Sequence, residues 1–294
     1  MTDASPDQSA RVASWRLLLS NPVTVAGALV LVGIVIVAVT ANWVTPFDVN
    51  DINVPNALRP PSGVHWFGTD DLGRDVLSRV LVATQASLRV AVVSVAFAVA
   101  VGVTIGMIAG YRGGWVDTLF MRGIDVMFAF PVLLLALAIV AILGPGVTTT
   151  MLAIGTVYTP IFARVARASA LSVRVEPFVQ ISRTLGTGHL YVLSRHILPN
   201  TAGPLIVQAS LSLAFAVLSE AALSFLGLGI QPPQPSLGRM IFDSQGFVTL
   251  AWWMAIFPGA AIFVIVLAFN LLGDGMRDVL DPKHRTMIEA RRRQ

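Results

Sequence analysis

Runs of apolar residues long enough to cross a bilayer alternate along this chain with stretches where polar residues, prolines and charges gather. A crossing helix needs about 20 predominantly apolar residues. Windows of that kind lie at 23–44, 85–110, 119–143, 148–171, 203–229 and 251–273, and they predict six transmembrane helices in an all-α membrane protein. The first window carries only Asn42 near its end and follows Arg11 and Arg16. It is longer than the apolar core of a signal peptide and reads as an uncleaved anchor, although Ala38-Val39-Thr40-Ala41 offers a cleavage-like sequence. Gly102, Gly106, Pro131 and Pro160 fall inside windows, which membrane helices tolerate where neighbouring helices satisfy the backbone. Gly102 with Gly106, and Gly227 with Gly229, are spaced for close helix approach.

Orientation follows from where the basic residues sit. One side receives Arg11, Arg16, Arg112, Arg122, Arg164, Arg167, Arg174, Arg183, Arg195, Arg277, Lys283, Arg285, Arg291, Arg292 and Arg293. The other receives Arg59, Arg74, Arg79 and Arg239, with Arg89 at the start of the second window. This asymmetry predicts both termini and the 172–202 loop in the cytoplasm. The organisation is then a tail at 1–22, a first span at 23–44 and an extracytoplasmic segment at 45–84. A five-span core follows at 85–273, containing the 172–202 loop, and a tail at 274–294 ends the chain. Of 294 residues, 55% are hydrophobic and 12% charged, against roughly 45–50% and about 25% in soluble domains. The net charge of +4 is therefore a topology signal and not a nucleic-acid footprint.

The chain's chemistry is largely one of exclusions. There is no cysteine, hence no disulfide, thiolate metal site or cysteine nucleophile. Lys283 is the only lysine and follows Asp281-Pro282, which rules out a Walker A loop. His65, His189, His196 and His284 are scattered without metal spacing. No catalytic constellation is visible.

The segment Glu176–Asn200 is the most informative. Pro177 suits a first helical turn. Phe178, Ile181, Ser182 and Leu185 are expected on one face, with Val179 and Gln180 beside them, and Gly186 is placed to end the helix. After Gly186-Thr187-Gly188, a second short helix at about 189–198 is expected to stack Leu190, Leu193 and Ile197 on one side and to close at Pro199. Each piece is too short to be stable alone in water. A compact helical knob of this kind suits docking to a soluble partner; the alternative is that it lies on lipid headgroups.

Elsewhere, Gly68-Thr69-Asp70-Asp71 reads as a helix start with Thr69 as cap and carboxylates in the first turn. Asp70, Asp71 and Asp75 lack the alternation of a calcium loop. Glu220, an ionisable group inside the fifth window, invites a functional reading. It is read as hydrogen-bonded to a neighbouring helix in preference to contacting a peptide's amino group. Arg122 with Asp125 reads as a structural pair or interfacial anchor.

Several motifs together resemble one family. Gly186 with Ile197-Leu198-Pro199 resembles the coupling loop of ABC importer permeases. His65-Trp66-Phe67-Gly68-Thr69-Asp70 through Gly73-Arg74-Asp75 looks like an H-x-x-GTD-x-x-GRD signature. Glu220–Gly229 with Gln231-Pro232-Pro233, and Asn270–Asp278 with Asp281-Pro282, look like two further signatures. From about residue 20 to 285 the chain is similar to the C-type (DppC/OppC-like) permease of dipeptide and oligopeptide importers. It departs where Gln180-Ile181-Ser182 replaces the usual Glu-Ala-Ala, where Leu237 stands for a Trp, and where Ala83 stands for a Gly.

The resemblance implies a six-span permease, N-in and C-in, in the bacterial inner membrane, surrounded by lipid and binding no nucleic acid. It implies two cytoplasmic ABC ATPases carrying ATP and magnesium, a second, B-type permease and an extracytoplasmic solute-binding protein. No cofactor or metal would sit on this chain, and it would catalyse nothing itself. ATPase coupling would fall to Phe178, Gln180, Ile181, Ser182, Arg183, Leu185, Gly186, Leu193, Ile197 and Pro199. Glu220, Thr69, Asp70, Arg74 and Asp75 would contact the pathway or a partner. The cargo would be short peptides. The same architecture also serves nickel or another small solute. A motor-independent transporter or channel would want polar residues near mid-membrane, and apart from Glu220 the windows offer few; a purely structural scaffold is the third class.

Overall fold

The computed structural model describes residues 22–280. The basic residues Arg11, Arg16, Lys283, Arg285, Arg291, Arg292 and Arg293, and Asp281-Pro282, lie outside the described residues. Within them the chain is helical, with one isolated antiparallel bridge between Thr69 and Asp75. Helix α1 is Pro22–Val44 and α2 is Val76–Arg112. Next come α3, Gly114–Phe128, and α4, Val132–Leu143, then α5, Val147–Val173, and α6, Pro177–Thr184. A rod, α7, runs over His189–Phe225; the short helix α8 is Leu237–Asp243, and α9 is Trp253–Leu280.

Four of these helices, α1, α2, α7 and α9, are long and apolar enough to cross a membrane, and a fifth crossing results if α3 and α4 count as one. The continuous span expected at 119–143 is not present. Its two halves meet at 91° because Pro131 has no N–H to donate and disfavours the helical conformation in the residue before it. Helix α5, with 27 residues, is long enough to cross, but Thr148, Thr149, Thr150, Tyr158, Thr159, Arg164 and Arg167 dilute its apolar character.

Packing explains how so polar a helix sits inside the bundle. The α2–α5 contact is the most extensive between helices, and it buries Ile154, Val157, Phe162, Ala163, Ala166 and Ala170 of α5. Gly102, Gly106 and Gly110 of α2 lie directly against the backbone carbonyls of Thr159, Ala163 and Arg167. A Cβ on Gly106 would stand 2.2 Å from the Ala163 oxygen. Helix α7 packs on α2, α5 and α9, and α1 lies outside against α9 and α2. Outward-facing side chains are large and apolar, among them Leu29, Ile36, Leu134, Phe215 and Phe263, as a lipid-facing surface requires.

Two boundaries also move. Helix α2 starts nine residues before the apolar window, at Val76, because Asp75 caps it: the carboxylate accepts the Ser78 N–H at 2.8 Å. The cap expected at Thr69 is absent. That residue lies in the Thr69–Asp75 bridge, six positions upstream. At the other end, Leu198–Phe225 continues without interruption from the residues before it.

Candidate functional site

The arginine-rich end carries the knob. In α6, Pro177 occupies the first turn and Gly186, at φ +77°, ends the helix. The termination is a Schellman motif: Thr187 N–H donates to the Ser182 carbonyl at 3.2 Å and Gly186 N–H to that of Arg183 at 3.0 Å. Two residues of the amphipathic helix, Val179 and Ser182, face inward. Phe178, Ile181 and Leu185 face out, Leu185 with 80% of its surface exposed. Ser182 therefore does not share their face, as the sequence reading had it; its hydroxyl lies 2.6 Å from that of Thr187 and braces the turn.

The second piece also differs from expectation. Residues Val192–Ile197 are π-helical, a winding with i→i+5 hydrogen bonds. It places Val192 and Ile197, five apart, on the buried side, while Leu190 stays exposed and Leu193 is half-buried. The expected stack of Leu190, Leu193 and Ile197 does not form. Pro199 closes nothing; it sits exposed in the first turn of Leu198–Phe225, where a missing N–H costs little. The second half of the knob and the long apolar helix after it are one rod.

The knob rests on the ends of α2 and α5. The Tyr111 hydroxyl lies 3.0 Å from His189 Nδ1, the Arg183 guanidinium lies 5.6 Å from the Tyr111 ring centroid, and Arg174 donates to the Gly110 carbonyl at 2.9 Å. His196 packs between Phe178 and Tyr191. Gln180 turns back on its own chain, its amide donating to the Val175 carbonyl at 2.9 Å. A cavity of about 570 Å³ opens beside these groups, lined by Arg112, Arg174 and Arg183 with Tyr111, Val175, Gln180 and Thr184. Among the described residues no carboxylate lines it.

At the opposite end, residues 53–75 fold back on themselves. Asn53 N–H donates to the Leu72 carbonyl, Leu58 N–H to that of Asp70 and Thr69 N–H to that of Arg59. The Thr69 hydroxyl bridges Arg59 N–H and the Asn56 carbonyl. Asp70 accepts from the backbone of Leu72 and Arg74 and from Arg74 Nε at 2.7 Å, with Arg79 Nε at 3.6 Å. Asp75 caps α2 with one oxygen and meets His65 Nδ1 at 2.9 Å with the other. Trp253 Nε1 donates to the Thr69 carbonyl and ties the fold to α9. Beside it, burial, with Asp70 alongside, pushes the Asp71 carboxyl above its ordinary range, and Asp71 Oδ1 has no hydrogen-bond donor.

Glu220 is fully buried in α7. Its Oε2 accepts from Ser87 of α2 at 2.5 Å and its Oε1 from Ser224 at 2.7 Å; the Ser224 oxygen accepts Ile230 N–H at 3.2 Å. The carboxyl thus fastens α7 to α2 and to the loop beyond α7. Asp125 pairs with Arg164 of α5 at 2.8 Å, and not with Arg122 as the sequence suggested. His65, Arg79, Ser87, Tyr111 and Trp253 were not singled out as structural partners. Only His65 carried a signal, standing at the head of its motif; Ser87 meets a residue 133 positions away. Among the described residues no cluster of His, Asp or Glu could hold a metal.

Residues 102–286 match a family described as the binding-protein-dependent transport system inner membrane component, and residues 10–61 match the N-terminal transmembrane domain of oligopeptide transport permease C. A dipeptide transport system permease of Alkalihalophilus pseudofirmus is 43% identical over 284 residues, covering 95% of this chain and 93% of the relative. A probable D,D-dipeptide transport system permease of Escherichia coli is 43% identical over 267 residues, 91% and 90% of the two chains. A glutathione transport system permease of Escherichia coli is 43% identical over 270 residues, 92% and 89%.

Proposed function

The chain belongs to the inner membrane components of binding-protein-dependent transport systems, and we propose that within them it is the C-type permease of an ATP-driven importer of short peptides. It forms half of a translocation pathway in the bacterial inner membrane. It crosses six times, both ends in the cytoplasm, with α5 as a crossing and α3–α4 as a broken one. Helix α4 alone, with 12 residues, covers about 18 Å of a hydrocarbon core about 30 Å thick. Helix α3 completes that passage along the inner boundary.

The relatives' cargo, dipeptides and glutathione, supports a short peptide as substrate. A second, B-type permease completes the pathway, and a solute-binding protein delivers cargo to the outer face, whose fold Thr69, Asp70, Arg74 and Asp75 brace from within. Two ATPases, which carry ATP and magnesium, dock on the knob and its counterpart. ATP-driven closure of the motors bears on the knob and favours the outward-open bundle; hydrolysis favours the inward-open one.

One observation carries this reading: Phe178, Ile181 and Leu185 project from a short helix whose other face is fixed to the bundle. A rigid, exposed apolar face suits a partner's groove. Its test is ATP hydrolysis by the reconstituted importer, with and without short peptides. Peptide should stimulate hydrolysis, and Leu185→Asp should abolish stimulation while the protein still inserts, since Leu185 supports nothing inside the fold. Stimulation by nickel and not by peptide would replace the cargo. Hydrolysis that ignores the knob would remove the coupling role.

A further inference from the structure

Arg89 sits in α2 within the apolar window, 13 positions below Val76. It stands four residues inside the outer edge of that window and is exposed on the surface of the subunit, where a charged side chain belongs against a water-filled path or a partner charge. Among the described residues Arg89 has no hydrogen bond, ion pair or ring contact. The one buried carboxyl nearby, Glu220, is held by Ser87, two positions away and so on nearly the opposite side of the helix.

Arg89 instead lines a cavity of about 430 Å³, within the range of roughly 300–1,000 Å³ typical of small-molecule sites. Val82, Gln85, Ala86 and Arg89 supply one wall of it from a single face of α2. Asn42 at the end of α1, Val147 at the start of α5, and Gln234 and Pro235 from the loop before α8 supply the others. The three amide side chains, like Arg89, make no hydrogen bond among the described residues. Among the described residues no Asp or Glu lines the space. An exposed cation flanked by unpartnered amides, Asn42 and Gln234 exposed and Gln85 half-buried, is a site for an anion that carries further hydrogen-bonding groups.

We propose that this cavity receives the free carboxylate of the transported peptide, with Arg89 as the ion-pairing group and Gln85, Asn42 and Gln234 meeting the adjacent peptide bond. The inference rests on the peptide-importer reading. Arg89 is thereby a specificity-determining residue for passage, separate from whatever the solute-binding protein selects.

The test compares dialanine with its C-terminal amide in proteoliposomes holding the complete importer. Each peptide is supplied at concentrations that saturate the solute-binding protein, whose affinity for each is measured separately. In the unaltered importer the free acid should be taken up at least about tenfold faster than the amide at equal occupancy, the size expected of one charge-assisted hydrogen bond. Arg89→Gln should bring that ratio toward one by slowing the free acid, and Arg89→Lys should retain most of it. A ratio near one in the unaltered importer, a ratio preserved in Arg89→Gln, or an equal loss for both peptides would each overturn the proposal. The last outcome would mark Arg89 as a lipid or subunit contact. Absence of any peptide uptake, with uptake of another solute, would instead overturn the parent reading and this one with it.

Discussion

Gly106→Ala tests the packing that holds α5 in the bundle. An added Cβ would stand 2.2 Å from the Ala163 carbonyl oxygen, where a carbon–oxygen contact needs about 3.3 Å. The shortfall is about 1.1 Å. Both sides of the contact are backbone, so no rotamer change relieves it and the helices must part. A gap of that size forfeits a quarter to a half of the dispersion wells along the seam, and overpacking of this kind costs about 1–3 kcal/mol. Alanine returns roughly 0.5–1 kcal/mol through helix propensity. A net loss of about 1 kcal/mol is expected, read as a fall in the thermal midpoint of the purified importer on the order of 2–4 °C. Gly123→Ala is the control, because a Cβ there meets nothing within 4 Å; it should be neutral or slightly stabilising. Gly102→Ala should also destabilise, its Cβ meeting the Thr159 carbonyl oxygen at 2.5 Å. The double variant should cost less than the sum, since one separation accommodates both methyls. Gly106→Ala as stable as Gly123→Ala, or strict additivity of the pair, would refute the reasoning.

Glu220→Ala leaves two buried serine hydroxyls without their acceptor and should destabilise the importer by about 2–4 kcal/mol. Glu220→Gln, which keeps one acceptor and the shape, should cost about 1 kcal/mol; equal damage from both, measured by thermal unfolding, would show that the negative charge itself is used. Asp71→Asn should stabilise the outer segment at pH 7. The carboxyl's folded-state value lies above its ordinary 3.8, so ionisation costs stability as pH rises through that interval. The advantage of Asp71→Asn should vanish as pH falls below the ordinary value; an advantage independent of pH would show that burial of the charge is not its source.

Hydropathy located the four long apolar helices, and a fifth crossing if the bent pair counts as one, because the lipid constraint acts on composition over some 20 residues, a length the eye can average. It could not locate their ends. Helix α2 begins where Asp75 finds the Ser78 N–H, a matter of single-residue geometry, and Thr69 looked an equally good cap until Asn56 and Arg59 were seen to occupy it. The break at Pro131 was visible as a residue but not as a 91° bend, since membrane helices often carry a proline and merely kink. In the knob, Pro177 and Gly186 were legible because each suits only a few backbone positions. The inward turn of Ser182 and the pairing of Val192 with Ile197 were not. A helical wheel assumes 3.6 residues per turn, and the π-helical stretch does not obey it. The Ser87–Glu220 contact has no local signal at all.

Under the proposed coupling role, the continuity of α7 makes it a lever that is rigid from His189 onward. From His189 to Glu220 the rod is about 46 Å long at 1.5 Å per residue. A tilt of about 5° imposed at the knob would swing the Glu220 end by about 4 Å. Because Ser87 is fastened to that end, α2 must follow, and the wall bearing Gln85 and Arg89 moves with it. Short linkers flank α6 on both sides, Arg174-Val175-Glu176 before it and Leu185-Gly186-Thr187-Gly188 after it. In that proposed role, a small displacement of the rod at His189 thus becomes a larger one at Glu220 and in the α2 wall fastened beside it.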